Sequence, residues 1–230
     1  MTALQALIVD VDGTLAETEE AHRHAFNQTF AAWGLPWHWD VDDYRQLLQI
    51  TGGKERLGAF QQTLCLSDRR LTDTEIAHLH AQKTARYTAI LAAGELPLRP
   101  GVADLIHTAR AKGLQLAVAT TTNRPNVDAL CRCGWGRPAA DLFEVIAAGD
   151  EVAAKKPAPD IYLLALDRLG LPADACLAVE DSRNGLLAAK AAGLRTIVAP
   201  SAYTASEDVS GADLIVSTLA DPRVTARLAQ

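Results

Sequence analysis

The sequence predicts an α/β fold in which a doubly wound parallel sheet carries an inserted helical domain. From residue 99 onward, short apolar runs alternate with amphipathic segments, a pattern typical of parallel strands joined by helices. Another apolar run, LQALIVD, stands at residues 4–10. Residues 16–95 separate this run from the later strands, and this intervening segment is far longer than a simple crossover connection.

The first apolar run predicts a buried central strand over residues 4–9, because it is short, continuous and ended by acids. Apolar residues then recur at helical spacing over 16–33 and 72–93. Between them, WGLPWHWD (33–40) and ITGGKER (50–56) contain turn signals. The segment 16–95 is therefore predicted to be a helical cap domain.

The second part of the chain predicts five more strands and the helices between them. Gly101 opens a helix whose apolar residues fall at i, i+3, i+4 and i+7, and Gly113 ends it. The predicted strands are 114–120, within 142–149, 176–181, 194–199 and 212–217. Residues 1–15 and 96–230 together are thus predicted to form a Rossmann-like core domain.

Composition excludes several classes of protein. The formal net charge is -6, which argues against a general nucleic-acid binder. No apolar run reaches membrane-spanning length, and a strand begins too early for a signal peptide to precede it. The four cysteines lack metal-site spacing and are expected to be reduced thiols. We expect a cytoplasmic monomer that acts on a small phosphorylated metabolite, with no nucleic acid or membrane partner.

Polar residues follow four of the predicted core strands. They are 10–14 (DVDGT), 120–123 (TTTN), 155–157 (KKP) and 180–182 (EDS). A single DxD is more often a solvated turn, but ligands of parallel α/β sheets bind at the carboxyl ends of the strands. Four such groups on four core strands predict one site.

These residue types suit phosphoryl transfer, which needs a nucleophile, charge neutralisation and proton transfer. Asp10 is the predicted nucleophile and would form an aspartyl phosphate. Asp12 is the predicted acid and base for the leaving group and for water. Thr120 would donate a hydrogen bond to the phosphoryl group, and Lys156 would supply positive charge.

The same strand ends predict a Mg²⁺ site, since magnesium prefers oxygen ligands and keeps some waters. Asp10 and Asp181 would supply carboxylates and Asp12 its main-chain carbonyl. Glu180 would bind directly or orient a metal-bound water.

Several cap residues are candidates for substrate binding. Gly52, Gly53, Lys54 and Arg56 read as a flexible turn whose two cations would hold a second phosphate. A solvated helix start is the alternative for these cations, and a favourable charge at a helix N-terminus is the alternative for Glu17. The alternative for His22 is a place in the cap core. Further candidates are Tyr44, which is also expected in the cap core, and Thr121, Thr122, Asn123 and Arg124 beyond the second core strand.

The four strand-end groups match the four motifs of the haloacid dehalogenase-like phosphatases, which the chain resembles along most of its length. The Phe that this family usually carries before the nucleophile is Val9 here. Asp12 favours phosphatase or phosphomutase chemistry, because members that manage protons otherwise carry Thr at that position.

A closer resemblance, over about residues 4 to 205, is to the CbbY family, relatives of β-phosphoglucomutase. It is carried by DVDGTLAETEEAHRHAF, TGGKER, LAVATTTNRPNV, AAGDEVAAKKPAPDIY and LAVEDSRNGLLAAKAAGL. The resemblance implies hydrolysis of xylulose-1,5-bisphosphate, a misfire product and inhibitor of Rubisco, to xylulose 5-phosphate. It also implies that Glu17, His22, Lys54 and Arg56 face the substrate, with the far phosphate near the cap cations.

Three alternatives stay open at this point. A β-phosphoglucomutase-like phosphomutase would use the same Asp10 and Asp12, and so would another sugar-phosphate or phosphoglycolate phosphatase. A catalytically silent binding module is the alternative outside enzymes, although every motif residue is present.

Overall fold

A six-stranded parallel sheet forms the centre of the core domain. The computed structural model describes residues 3–65, 69–94 and 96–229. The strand order is β3-β2-β1-β4-β5-β6, and every pairing between neighbours is parallel. The strands are β1 (Ala6–Val9), β2 (Gln115–Thr120), β3 (Val145–Ala148), β4 (Cys176–Glu180), β5 (Arg195–Val198) and β6 (Leu214–Ile215). The predicted α/β fold class is confirmed, and each predicted strand contains one of these six.

Helices cover both faces of this sheet, as a doubly wound fold requires. The helices are α1 (Glu19–Ala32), α2 (Val41–Leu47), α3 (Gly53–Gln62), α4 (Asp73–Ala92), α5 (Val102–Ala111), α6 (Arg124–Trp135), α7 (Asp160–Leu169), α8 (Arg183–Ala191) and α9 (Pro222–Arg227). Helices α5, α6 and α9 pack on one face, and α7 and α8 pack on the other.

The two faces of the sheet carry side chains of different size. Successive strand residues point to opposite faces, so Leu7 and Val9 join one core cluster while Ala6 and Ile8 join the other. The face toward α7 and α8 is rich in alanine, and its strand alanines are Ala6, Ala117, Ala119, Ala147 and Ala178. The opposite face is filled mainly by leucine, valine and isoleucine.

The order of the strands reverses at β1, and this reversal determines where a ligand binds. Val9 is in register with Val118 of β2 on one side and Val179 of β4 on the other. The next residue, Asp10, donates its backbone N–H to the Val179 carbonyl at 3.0 Å. Asp10 therefore lies between the carboxyl ends of two neighbouring strands, at the switch point where such sheets bind ligands.

Helices α1 to α4 form a second hydrophobic core above that edge of the sheet. Its largest buried side chains include Phe26, Phe30, Trp39 and Tyr44. The chain leaves and re-enters the core domain side by side, since Ala16 pairs with Leu98 in an antiparallel bridge. We propose the division at residues 15/16 and 95/96 on this basis, although residue 95 itself lies outside the described residues.

The structure decides between two interpretations of residues 52–56, a flexible turn and a helix start. Gly52 directly precedes α3, and the Arg56 N–H donates to the Gly52 carbonyl at 3.0 Å, so the segment is the start of a helix. Gly52 has a φ of 95°, which lets the chain turn sharply before the helix. Residues 54–57, Lys-Glu-Arg-Leu, have good helix propensity.

Among residues 3–65, 69–94 and 96–229, no helix combines the length and the apolar character needed to cross a membrane. The predicted cytoplasmic location and monomeric state stay predictions.

The cap core generates a stability prediction. Phe30 is fully buried, with ring centroids 4.8 Å from Trp39 and 5.5 Å from Trp37. Phe30→Ala leaves a cavity and is expected to cost about 3–5 kcal/mol, measured by urea unfolding followed by circular dichroism. The control is Leu163→Ala, because Leu163 is 49% exposed. Equal, small losses for both variants would contradict the assignment of Phe30 to a packed core.

Candidate active site

The loop after β1 places Asp10 in a buried, hydrogen-bonded position. Lys156 Nζ donates to Asp10 Oδ1 at 2.7 Å, and Thr14 Oγ1 donates to Asp10 Oδ2 at 3.2 Å. Gly13 has a φ of 77°, and a Cβ at that position would overlap Oδ2 of Asp181. The loop therefore requires glycine both for its conformation and for its close approach to Asp181.

Three buried carboxyl groups meet beside this loop. Asp10, Glu180 and Asp181 each offer an oxygen, and these oxygens lie within 4.8 Å of one another. Burial raises the pKa of Asp10 and of Glu180, the latter to about 7. Burial and the neighbouring Asp10 carboxylate raise the pKa of Asp181 well above its ordinary value.

This cluster fits a divalent cation. Its three carboxylates face one ammonium group, that of Lys156, so two negative charges are left over when all are ionised. Glu180 Oε2 is buried and has no hydrogen-bond partner among the described residues. Unpaired buried carboxylate oxygens suit Mg²⁺, which takes hard oxygen ligands.

Lys156 and Tyr162 fix the other oxygen of Glu180. Lys156 Nζ donates to Glu180 Oε1 at 2.6 Å, and the Tyr162 hydroxyl donates to the same atom at 2.5 Å. Burial alone would lower the pKa of Lys156, but Asp10 and Glu180 raise it above its ordinary value. Lys156, predicted to supply positive charge, is therefore a cation beside the Asp10 carboxylate. Tyr162 was not predicted as a site residue.

Asp12 contacts a different set of groups, which belongs to the cap. His22 Nε2 lies 3.0 Å from Asp12 Oδ1, and Lys83 Nζ lies 2.6 Å from His22 Nδ1. Because the Asp12 carboxylate can only accept, Nε2 carries the proton that it donates to Asp12, and Nδ1 of the neutral ring accepts from Lys83. The His22 ring also stacks on Tyr87, with centroids 3.8 Å apart. The order Lys83, His22, Asp12 is therefore a hydrogen-bonded chain from cap to core.

Burial is the largest influence on the pKa values of Lys83, His22 and Asp12. Burial, together with the charge of Lys83, lowers the pKa of His22 to about 4. Burial also lowers the pKa of Lys83 to about 7, although Asp12 opposes this. Burial by itself would raise the pKa of Asp12, but the hydrogen bond from His22 and the charge of Lys83 hold it below its ordinary value. Asp12 is thus a carboxylate in the ligand-free protein.

One cavity between cap and core contains most of the predicted residues. It is lined by Asp10, Asp12, His22, Gly52, Gly53, Lys54, Arg56, Thr120, Thr121, Thr122, Asn123, Lys156 and Asp181. Glu180 does not line the cavity and is fully buried. The fold therefore brings residues from separate predicted motifs into one cavity.

Three predicted substrate-binding residues lie outside that cavity. Glu17 instead pairs with Arg99, whose Nε lies 3.2 Å from Glu17 Oε1. Tyr44 is fully buried in the cap core, where its hydroxyl accepts from Arg56 Nη1 at 3.1 Å. Arg124 is an exposed residue at the start of α6. Packing between helices or between domains, which the sequence does not reveal, decides where Glu17 and Tyr44 point.

The two predicted cap cations line the cavity but already have protein partners. Lys54 Nζ lies 2.5 Å from Asp150 Oδ2, across the cleft between cap and core. Lys155 Nζ lies 2.8 Å from the other oxygen of Asp150. Arg56 donates through Nε to the Leu47 carbonyl at 3.0 Å, and its guanidinium lies over the Tyr44 ring.

Several cavity residues were missed by sequence reasoning. They include Glu19, His80, Lys83, Asp150 and Asn184. Burial raises the pKa of Glu19 to about 7, and its Oε2 is buried without a hydrogen-bond partner among the described residues. For Lys83 a signal was present, because it falls in the buried stripe Ile76, Leu79, Lys83, Tyr87 of α4. A lysine in an apolar stripe at helical spacing indicates a buried polar role.

The chain is similar to proteins of known family. A 60% identity over 210 residues, covering 91% of this chain and 91% of the relative, links it to Protein CbbY of Rhodobacter capsulatus. The crystal structure of the D10N mutant of CbbY from Rhodobacter sphaeroides, in complex with xylulose-1,5-bisphosphate, is 54% identical with a TM-score of 0.91. That match covers 95% of this chain and 96% of the other.

More distant structures share the fold. A β-phosphoglucomutase from Clostridium difficile is 19% identical with a TM-score of 0.78, covering 94% of this chain and 92% of that one. The family model for haloacid dehalogenase-like hydrolases matches residues 4–193, which include every motif residue of the cavity. The chain belongs to the haloacid dehalogenase-like hydrolase family.

Proposed function

We propose that the protein is a magnesium-dependent phosphatase that removes the C1 phosphate of xylulose-1,5-bisphosphate through an aspartyl phosphate on Asp10. That it is a phosphatase of sugar phosphates follows from its family and its CbbY relatives. The observation that carries the finer proposal is the single cavity in which Asp10 and Asp12 face cations of the cap. The xylulose-1,5-bisphosphate bound to the 54% identical CbbY mutant supports the choice of sugar.

In the first step of the proposed reaction the Asp10 carboxylate attacks phosphorus while the bond from phosphorus to the C1 oxygen breaks; in the second step water attacks the aspartyl phosphate and releases phosphate and free Asp10. Its Oδ1 and Oδ2 are each held by a hydrogen bond, from Lys156 and Thr14, so the carboxylate is oriented before substrate arrives. Lys156 also places positive charge where the equatorial phosphoryl oxygens would lie. Thr120, which lines the same cavity, is available to donate a hydrogen bond to one of them.

Asp12 would transfer the protons. As a carboxylate it is ready to take a proton from the attacking water in the second step. To act as an acid in the first step it must take up a proton, and an approaching phosphate dianion would raise its pKa by charge repulsion. The hydrogen bond from His22 holds the Asp12 carboxyl in one orientation throughout.

Asp10, Glu180 and Asp181 would hold the magnesium ion, with the Asp12 main-chain carbonyl as a further oxygen. When bound, the ion supplies positive charge that neutralises the phosphoryl oxygens and the carboxylates around it. The protein contributes the dry, preorganised ligand set, in which Tyr162 and Lys156 leave Glu180 Oε2 available.

The second phosphate of the substrate would bind at the cap side of the cavity. Lys54, Arg56, His80 and Lys155 line that side, and Asp150 is the acid between the two lysines. A phosphate could therefore replace Asp150 as the partner of Lys54. Glu19 also lines the cavity, and its Oε2, which has no hydrogen-bond partner among the described residues, is available to bind a hydroxyl group of the sugar.

The substrate is tested by measuring phosphate release from xylulose-1,5-bisphosphate, ribulose-1,5-bisphosphate and β-glucose 1-phosphate with Mg²⁺. We expect the xylulose compound to be preferred by at least about tenfold in kcat/KM, which corresponds to about 1.4 kcal/mol. Asp10→Asn should abolish turnover of every compound. Isomerisation of β-glucose 1-phosphate instead of phosphate release would favour a phosphomutase. Equal rates on all three would refute the choice of sugar but not the role of Asp10.

The metal is tested by binding as well as by activity. A chelator should abolish turnover and Mg²⁺ should restore it, and Mg²⁺ should raise the melting temperature because it binds only the folded protein. Asp181→Asn should lose this stabilisation. Asp213→Asn is the control, since Asp213 pairs with Lys190 at the surface. Full activity without any divalent ion would refute the assignment.

The proton-transfer chain is tested with Lys83→Met, which removes the donor to His22. Protonation of the leaving group matters most when that group is a poor one, so sugar phosphate turnover should fall by about tenfold or more. Hydrolysis of p-nitrophenyl phosphate should fall less. The control is the surface change Lys190→Met. Equal losses for both leaving groups would contradict a role in proton transfer.

A further inference from the structure

Arg99 lies outside the cavity, at the point where the chain returns from the cap to the core. Its side chain is 10% exposed. Its backbone N–H donates to the Leu15 carbonyl at 2.9 Å, so it sits beside the outgoing crossing as well as on the returning one. No substrate-binding or catalytic role was predicted for it from the sequence.

The guanidinium of Arg99 joins three other segments. Nη1 donates to the Gly13 carbonyl and also to the Ala199 carbonyl at 2.8 Å. Nη2 donates to the Pro200 carbonyl at 2.7 Å, and Nε lies 3.2 Å from Glu17 Oε1. The nucleophile loop, the loop after β5 and the start of the cap are therefore tied to one buried side chain.

Both loops that Arg99 holds lead directly to the carboxylate cluster. Gly13 is so close to Asp181 that no Cβ would fit between them. In the loop after β5, Thr204 Oγ1 donates to the Asp181 carbonyl at 2.8 Å and to its Oδ2 at 3.1 Å. A shift of either loop would therefore change the separation of Asp10 and Asp181.

We propose that Arg99 is a positioning residue, which fixes the nucleophile loop against the loop that holds Asp181 and ties both to the cap crossing at Glu17. The proposal rests on the Asp10 chemistry of the proposed function, but not on the identity of the sugar. Arg99 touches no reacting atom and acts through the Gly13 carbonyl.

The geometry requires arginine rather than a generic cation. A guanidinium is planar and carries five N–H donors in fixed directions, which here serve three carbonyls and one carboxylate. A lysine ammonium at this position would keep the charge near Glu17 but has only three donors on a more flexible chain. Arg99→Lys therefore removes the fixed donor geometry of the guanidinium and keeps the positive charge.

The test is Arg99→Lys assayed with p-nitrophenyl phosphate, a substrate without a sugar or a second phosphate. We expect kcat to fall about 10- to 100-fold, because a displacement of about 1 Å at reacting groups can cost this much. KM should change by less than kcat, and circular dichroism should show a folded protein. The matched control is Arg110→Lys, since Arg110 donates to the Leu142 carbonyl at 2.7 Å, in the core domain and outside the cavity lining.

A second variant is needed in case the lysine side chain of Arg99→Lys makes enough of the same hydrogen bonds to keep the loops in place. Arg99→Ala should lose more activity than Arg99→Lys, and guanidinium ion at millimolar concentration should restore part of kcat in Arg99→Ala but not in Arg110→Ala. A fall in melting temperature with kcat unchanged for both Arg99 variants would overturn the proposal and leave Arg99 a structural contact. If Asp10→Asn kept its p-nitrophenyl phosphatase activity, the proposed function would fail instead, and this outcome is visible in the same assay.

Discussion

Repulsion among three buried carboxylates is the constraint on which the rest of the site depends. Asp10, Glu180 and Asp181 lie within reach of one ion at the reversal point of the sheet, where burial weakens the screening of their charges by solvent. Hydrogen-bond donors of the surrounding structure stabilise these carboxylates. They are the Lys156 ammonium and the hydroxyl groups of Tyr162, Thr14 and Thr204. The space left over has the charge and the ligand type that a divalent cation requires.

The two domains divide the chemistry between them. The core holds Asp10 and the carboxylate cluster, whereas the cap supplies His22 and Lys83 to Asp12. The electrostatic environment of Asp12 is therefore complete only when cap and core are together. The two crossings between cap and core belong to the same arrangement, because Arg99 connects them to the loop that carries Asp10 and Asp12.

The core of the site could be predicted from the sequence because topology determines it. Residues that follow parallel strands meet at one edge of the sheet, so the motifs at Asp10, Thr120, Lys156 and Asp181 had to converge. The cap could not be predicted equally well, since helix packing decides which side chains face the cleft. Glu17 points elsewhere for this reason, Tyr44 lies in the cap core that was its alternative, and Lys83 was overlooked although it interrupts an apolar stripe. Gly52 to Arg56 showed a turn signal that in fact begins a helix.

The alanine-rich face of the sheet has a consequence for tolerance to substitution. Small side chains on that face let α7 lie close enough to the strands for Tyr162, whose ring is wholly buried there, to reach the end of β4. A larger residue at Ala117 or Ala178 would push this helix outward and draw the phenol away from Glu180. The size of side chains far from the cleft thus affects where the Tyr162 hydroxyl lies and, through it, how Glu180 is held.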